Sequence, residues 1–432
     1  MVAERVKRYI DEDLLYKYII RRMRRDDIDF VAFAISHWHA VGVDSAVYNI
    51  LKRKNKEPKG VIIICDHPKD GFIIKEKDFI CKSFAEVEFC FLSSNLNSLQ
   101  NQRFIIFRIY KYFRKSINLL RVIIRAKKID KNKKWNNKKE LIIISVRSPN
   151  ISFLEIFKNK YIENRYKPVY FIIDEGFGTY VSKRAWKIVG ELDNRKKLSY
   201  FNYLKNIEDR IRKEIINNFF KKLVTKYIGL ENRFLLSNRN DKLIPNLSIV
   251  NSYKNIFLKR RIILLKSDNF KNIFSSAIIL TSPFSEYKLA TLEYELKILN
   301  NVVNILIQKG YNIIIKPHPR EFDGKYIFIL KKYKSSRVKV THKDFPAEDL
   351  FCILNPLCVI GYTSTALITA NIIFNLPVIS VYRIFLNGND LKRISILKKT
   401  GMSEFKKLTE GMVHNIDSFG KLENILDSIK SR

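Results

Sequence analysis

Cysteine is scarce in this 432-residue chain, and acidic residues are far outnumbered by basic ones. The five cysteines, Cys65, Cys81, Cys90, Cys352 and Cys358, are odd in number and form no CxxC pair. That argues against a disulfide framework and against a structural zinc site. No apolar run reaches the length of a membrane span. The first residues, MVAERVKRYIDEDLL, lack the apolar core of a secretory signal peptide, so the expected location is cytoplasmic, peripheral on the inner membrane. There is no Walker A motif, and Gly176-Phe177-Gly178 is too short for a dinucleotide fingerprint. No DxD-like metal motif stands out at a strand end, so neither a metal nor a cofactor is expected. RNP, helix-turn-helix and zinc-finger patterns are missing too, which leaves a nucleic-acid-binding role without a motif.

What is abundant is positive charge. Lysine and arginine number 80 against 43 acidic residues, a net charge of +37. Such a chain is expected to meet polyanions: nucleic acid, anionic lipid or an acidic polymer. The many Lys, Ile and Asn also suit an AT-rich genome, so part of the excess is compositional. At 46% hydrophobic and 12% aromatic the chain can bury sizeable cores. Its length points to two domains.

Along the chain, residues 1–27 read as a basic helical lead-in. Ile28–Ser36 is a near-continuous apolar run, the mark of a central parallel strand. A helix-like segment to about Lys54 follows, then strands at Val61–Cys65 and Glu86–Leu92. Strand, helix and strand at this spacing predict βαβ units on a parallel sheet. Residues 103–139 interleave Arg and Lys with Phe, Ile, Tyr and Leu, then turn Lys- and Asn-rich. This is a basic helical insert, either a contact for a membrane surface or polyanion, or an ordinary helix with a solvated basic face. Arg195–Asn232 carries the same two readings. Strands Leu141–Ser145 and Val169–Ile173 lie between them. Asn232–Ser275 is polar and without clear periodicity, and reads as an interdomain connection with an edge element.

A second domain opens with Ala277–Ser282. Leu289, Leu292, Leu296, Leu299, Val303 and Leu306 form the stripe of an amphipathic helix, which Gly310 is placed to end. Strands follow at Tyr311–Lys316, Val338–Thr341, Leu357–Gly361 and, as the last, Pro377–Val381, with a short helix starting near Phe345. The fold class is α/β with two Rossmann-like domains, 1–255 and 256–432.

Three strand ends carry the chemistry. YNIIIKPHPR ends a buried strand in Pro-His-Pro, and the prolines stop further ladder pairing. His318 is thereby presented at the carboxyl edge of a sheet, where open α/β folds bind ligands. Thr363, Ser364 and Thr365 stand between a strand and a helix start. Three hydroxyls beside free N–H groups suit a phosphate, although a helix N-cap needs only one of them. Val169–Ile173 runs into Asp174-Glu175-Gly176, two carboxylates at a strand's carboxyl end. They suit a general base; the competing reading is a turn in which Asp174 bonds its own backbone. Glu348, after a strand, suits ribose hydroxyls or a helix's first turn. His37 and His39, at the first strand's edge beside Trp38, are candidates for acceptor contact or for packing. A phosphate site in one half and a base in the other fit a two-domain glycosyl transferase.

Asp174-Glu175-Gly176 resembles the (D/E)(D/E)G motif of bacterial sialyltransferases. His318-Pro319 resembles their HP motif, and Ser364-Thr365 their paired Ser/Thr motif, in the same order and with similar spacing. The text around them, IIDEGFGTY and KPHPRE, is most like the alpha-2,8-polysialyltransferase (capsule polysialyltransferase) family, and the likeness runs from about Ile28 to Val381. It implies a GT-B fold, whose two domains face each other across a cleft, and inverting transfer from CMP-sialic acid to an anionic glycan acceptor. In that scheme Asp174 deprotonates the acceptor, supported by Glu175, and Gly176 lies against the acceptor. His318, with Pro319, stabilises or protonates the departing phosphate. Ser364 and Thr365 hold that phosphate, and Glu348 lies near the nucleoside. The basic insert at 103–139 has no counterpart in the family pattern. Its charge and that of the second basic region suit an acidic glycan or the inner-membrane surface, not nucleic acid. The alternatives are another GT-B enzyme, such as a CDP-glycerol glycerophosphotransferase, and a basic nucleic-acid-binding protein. The first does not predict the Asp-Glu-Gly strand end, and the second leaves His318 and Asp174 unexplained.

Overall fold

The computed structural model of the protein describes residues 9–10, 12–66, 74–93, 138–146, 160–174, 231–235, 237–240, 242–265, 276–333, 337–387 and 403–431. The chain divides into two compact units, and each carries one large sheet. The expected α/β class with two parallel sheets is what the chain adopts.

The first unit holds seven strands: β1 (Tyr9–Ile10), β2 (Phe30–Ala34), β3 (Lys59–Asp66), β4 (Glu86–Ser93), β5 (Lys139–Ser145), β6 (Tyr166–Ile173) and β7 (Glu231–Phe234). Their order is β1-β4-β3-β2-β5-β6-β7, and every pairing is parallel. The runs FVAFA and LIIIS are buried along most of their length, as central parallel strands require. Leu15, Ile19 and Met23 on the Glu12–Arg25 helix pack with Val31, Val61 and Ile143 beneath the sheet. Gly60 pairs with Phe30 across β2 and β3, and a Cβ there would lie 2.5 Å from the Phe30 ring. Only glycine lets that ring lie flat on the neighbouring strand.

Two buried aspartates fasten the unit. Asp29 accepts from the Lys59 N–H at 3.0 Å and the Lys54 ammonium at 2.9 Å, tying β2 to β3 and to the end of the His37–Lys54 helix. Burial alone would raise the Asp29 carboxyl, but these partners and Lys139 outweigh it and hold it below its usual range. Asp44, inside the same helix, accepts from the N–H groups of Ile80 and Cys81, each at 3.0 Å.

The second unit includes an antiparallel hairpin, β8 (Ser237–Asn240) and β9 (Lys242–Pro245), a helix at Leu247–Leu264, and a six-stranded sheet. Its strands are β10 (Ser276–Leu280), β11 (Asn312–Lys316), β12 (Val338–Val340), β13 (Cys358–Gly361), β14 (Val378–Ser380) and β15 (His414–Asn415). The order is β12-β11-β10-β13-β14-β15, again all parallel. The amphipathic helix spans Leu292–Gln308, and Gly310 follows it with φ 75°. Thr291 caps it by accepting from the Tyr294 N–H. Its buried face, with Ile298, Leu299, Val302 and Leu306, packs on Ile313, Ile315 and Ile360.

Several expectations meet a different outcome. Pro377–Val381 is not the last strand, because β15 adds to the edge beyond it. Asn232–Ser275 supplies the expected edge element, β7 at the end of the first sheet, but the rest is not irregular: it holds the hairpin and the 18-residue Leu247–Leu264 helix. That helix crosses the 255/256 division expected from the sequence. Its periodicity is blurred because it carries leucine and isoleucine on its outward side as well as its buried one. The basic insert near 103–139 lies outside the described residues except at its end, where Lys139 opens β5. So does the second basic region up to Glu231.

Candidate functional site

In the second unit the strand register brings the predicted residues to neighbouring strand ends. Ile279 on β10 pairs with Ile315 on β11 and with Ile360 on β13. His318 and Thr363 each lie three positions further along their chains, past the carboxyl ends of β11 and β13, the two strands that flank β10. The gap between these strand ends includes the point where chain order reverses, between β10 and β13, the usual ligand crevice of such folds.

On one side of the gap, the Pro-His-Pro turn is tied down from below. The buried Glu321 carboxylate accepts the His318 N–H at 2.8 Å and the Thr281 hydroxyl at 2.7 Å. Thr281 is the first residue past β10. The fully buried Lys325 ammonium then joins Glu321 at 3.2 Å, Glu295 at 2.8 Å and Glu286 at 3.0 Å. Burial alone would lower Lys325, but Glu321 and Glu295 outweigh it and hold it above its ordinary value. Glu295, which shares that single cation, is pushed up to about 7 by burial.

The His318 ring is fixed by its own loop. The Arg320 N–H donates to His318 Nδ1 at 3.2 Å, so in the neutral ring the proton sits on Nε2. Burial, followed by the positive charges of Lys316, Arg320 and Lys325, lowers the imidazole to about 3. His318 is therefore a neutral hydrogen-bond donor near pH 7, not an imidazolium. The Arg320 guanidinium donates to the Tyr287 hydroxyl, joining this loop to the one after β10.

Lys316, the last residue of β11, is buried. Its ammonium donates to the carbonyls of Pro317 and of Lys343, the latter at 2.9 Å. Burial lowers it to about 8, opposed by Glu348, Glu321 and Asp344. Glu348 sits in the first turn of the Ala347–Leu354 helix and accepts from the Thr369 hydroxyl at 3.0 Å. Burial raises its carboxyl.

On the other side of the gap, Ser364 is the N-cap of the Thr365–Ile372 helix, its hydroxyl accepting from the Ala366 N–H at 3.2 Å. One of the three predicted hydroxyls thus has a structural duty. Thr363 and Thr365 flank it, half-buried like His318 and Pro319.

Asp174 stands at the carboxyl edge of the first unit's sheet. It follows β6 directly and is buried. Ala32, Ile144 and Phe171 form one row across β2, β5 and β6, which sets Asp174 level with Ile35. His37 and His39 begin the helix after β2, capped by Ser36. His39 is buried, and its Nδ1 accepts the Ile35 N–H at 3.3 Å; His37 Nδ1 lies 3.5 Å from Asp78. Both histidines are thus engaged in local structure. Glu175 and Gly176 lie outside the described residues. Among the described residues, no group of three or more His, Cys, Asp or Glu side chains is arranged to hold a metal ion.

Sequence reasoning missed Lys316, Glu321, Lys325 and Thr281. The available signal was charge where burial was expected: Lys316 ends an isoleucine run, and Glu321 and Lys325 flank a tight turn. Removing Glu321 leaves the His318 N–H without its acceptor and the Thr281 hydroxyl with only the Lys316 carbonyl at 3.3 Å. Glu321→Ala is therefore expected to cost about 1–3 kcal/mol of stability in denaturant titration. His318 also shapes the pH dependence. Between its folded value of about 3 and its ordinary 6.5, the unfolded chain takes up a proton that the folded chain refuses. Its contribution is thus fully favourable above pH 6.5 and is lost as pH falls. His318→Gln should flatten the decline of melting temperature between pH 7 and pH 4.5, and an unchanged slope would contradict the lowered value.

No curated protein sequence matches the chain. Solved structures with a similar arrangement include the UDP-GlcNAc 2-epimerase of Methanocaldococcus jannaschii in complex with UDP-GlcNAc and UDP, at 14% identity over 93% of each chain with TM-score 0.40. The alpha/beta-galactoside alpha-2,3-sialyltransferase of Photobacterium phosphoreum is 14% identical over 90% of this chain and 99% of its own, with TM-score 0.36. The sialyltransferase of Photobacterium damsela is 13% identical over 90% and 81%, with TM-score 0.38. The alpha-2,8-polysialyltransferase family profile matches residues 30–383, which includes both candidate strand-end sites. The chain belongs to the alpha-2,8-polysialyltransferase family.

Proposed function

We propose that this sialyltransferase-family chain moves sialic acid from CMP-sialic acid to an anionic glycan, either polysialic acid or another surface polysaccharide, with inversion and without a metal. The observation that supports the reading is that His318 and the hydroxyl-rich helix start follow the two strands on either side of β10, at their carboxyl ends. A phosphate monoester leaving group needs donors that do not have to give up a proton. Nε2–H of His318, the hydroxyls of Thr363 and Thr365 and the helix N–H groups supply them. Ser364 contributes by capping, Pro319 by fixing the turn, and Glu348 by standing beside the nucleoside. The two units, which part before the β8–β9 hairpin and not at 255/256, serve as the acceptor and donor halves of a GT-B enzyme.

In the proposed step the acceptor hydroxyl oxygen attacks the anomeric carbon of sialic acid. The bond from that carbon to the phosphate oxygen breaks, and its electron pair leaves with CMP. The hydroxyl proton passes to Asp174, supported by Glu175, with Gly176 and His37 on the acceptor side. His318 receives the growing negative charge as a hydrogen bond to Nε2–H, and once the phosphate is bound its charge favours the imidazolium. An acidic acceptor and the inner-membrane surface are the partners that the +37 charge suits.

Asp174→Ala and His318→Ala are each expected to lower turnover by about two to four orders of magnitude with folding retained. Full activity in either would defeat the mechanism. In a thermal-shift panel CMP should raise the melting temperature, whereas CDP-glycerol, UDP and GDP should not. A shift with CDP-glycerol instead would transfer the site to a different donor class.

A further inference from the structure

Lys316 is a cation where the strand pattern calls for an apolar residue. It closes β11 after three buried isoleucines and is itself only 5% exposed. A buried ammonium is costly unless a carboxylate pairs with it. Among the described residues Lys316 forms no ion pair; Glu348, Glu321 and Asp344 act on its charge from further away. Its partners are neutral: the carbonyl of Pro317 and, at 2.9 Å, that of Lys343. Burial lowers the ammonium to about 8, the mark of a charge that the fold holds against desolvation. A methionine of similar length would continue the isoleucine run without that penalty. Stability therefore does not account for the lysine, and the two carbonyls it holds do.

Those carbonyls belong to two different segments. Pro317 begins the turn that carries His318. Lys343 lies in the loop between β12 and the Ala347–Leu354 helix, whose first turn carries Glu348. A second link runs the other way, from the Lys343 ammonium to Asp323 at 3.0 Å. The Asp323 side chain is 83% exposed, and a surface pair of that kind contributes little. The buried Lys316 contacts are thus the ones that hold the two segments in place. Lys316 reaches His318 through its charge as well: after burial, it is the foremost of the three cations that keep the imidazole neutral.

On the donor reading, in which His318 and Glu348 meet one nucleotide, we propose that Lys316 is a positioning residue: its ammonium ties the Pro-His-Pro turn to the loop that leads into the Glu348 helix, so that both contacts are set together. Lys316 touches no substrate in this arrangement and acts through the Pro317 and Lys343 carbonyls. Lysine suits the task because one ammonium carries three donors and can serve both carbonyls at once. Placing reacting groups in advance is what makes such a tie useful, since small displacements at a site are felt in binding and in rate.

The test is calorimetric titration of the full chain with CMP, beside the melting temperature of the ligand-free protein. Wild type, Lys316→Met, Glu348→Gln and the double variant are compared. Lys316→Met should weaken CMP binding by about tenfold, within the range of coupled neighbours. Its melting temperature should hold, because two carbonyls lose a donor while the core loses a buried charge. In the Glu348→Gln background the same substitution should cost distinctly less affinity, since the Glu348 contact that it misplaces is already gone. Three results would overturn the proposal: CMP affinity unchanged in Lys316→Met, a melting temperature that collapses with it and marks the lysine as a strut of the fold, or fully additive losses in the double variant. A wild type that binds no CMP would defeat the donor reading as well, whereas a wild type that binds CMP as tightly as Lys316→Met does would defeat the positioning role alone.

Discussion

The candidate donor site hangs on one buried carboxylate. Glu321 holds the His318 N–H and the Thr281 hydroxyl with one oxygen and meets Lys325 with the other. Those two contacts fasten the turn after β11 to the end of β10, so the histidine cannot drift relative to the sheet. A buried carboxylate is costly unless it is paired and hydrogen-bonded, and here it is both. The same lysine serves Glu286 and Glu295, which reach in from the loop after β10 and from the Leu292–Gln308 helix. One ammonium thus gathers three elements under the Pro-His-Pro turn. Burial lifts the Glu295 carboxyl even with that ammonium beside it.

Above that anchor the chemistry is carried by neutral groups. The surrounding cations and burial keep the His318 ring unprotonated, and the Arg320 N–H decides which nitrogen bears the proton. On the opposite strand end the Ser364 cap leaves Thr363 and Thr365 beside it. In the proposed function these oriented dipoles would meet an anion at that strand edge. The parallel register makes this possible without any long-range device. β10 pairs with β11 and β13 in step, so the Pro-His-Pro turn and the hydroxyl triplet follow strands that end on either side of it.

The parts of this arrangement that sequence revealed are those that follow from strand periodicity. IDFVAFAIS, VIIIC, LIIIS and NIIIK are apolar runs that only a doubly covered parallel sheet can house, and each became a strand at nearly its expected limits. Pro-His-Pro and the hydroxyl triplet were legible because proline and helix caps punctuate the chain locally. The anchor was not. Glu321, Thr281 and Lys325 meet only through tertiary folding, and nothing in their spacing distinguishes them from surface residues. The Leu247–Leu264 helix was hidden for the opposite reason: apolar residues on both faces erase the stripe that reveals an amphipathic helix. His37 and His39 look alike as letters at a strand edge, yet one pairs with Asp78 and the other accepts a backbone N–H.

The excess of positive charge is best understood as acting at a different range from the site. A net +37 governs encounter with polyanions over about a Debye length and weakens with salt. Contacts at the His318 turn act over single hydrogen bonds in a half-buried pocket, where salt has little access. In the proposed function, recruitment and recognition are thus separable in the same chain. Diffuse cations would bring an acidic acceptor close without reading its identity, and the imidazole, the hydroxyls and the helix N–H groups would then discriminate by geometry. A protein built this way tolerates drift in its surface lysines but not in Glu321, because many cations share the first task and one carboxylate holds the second.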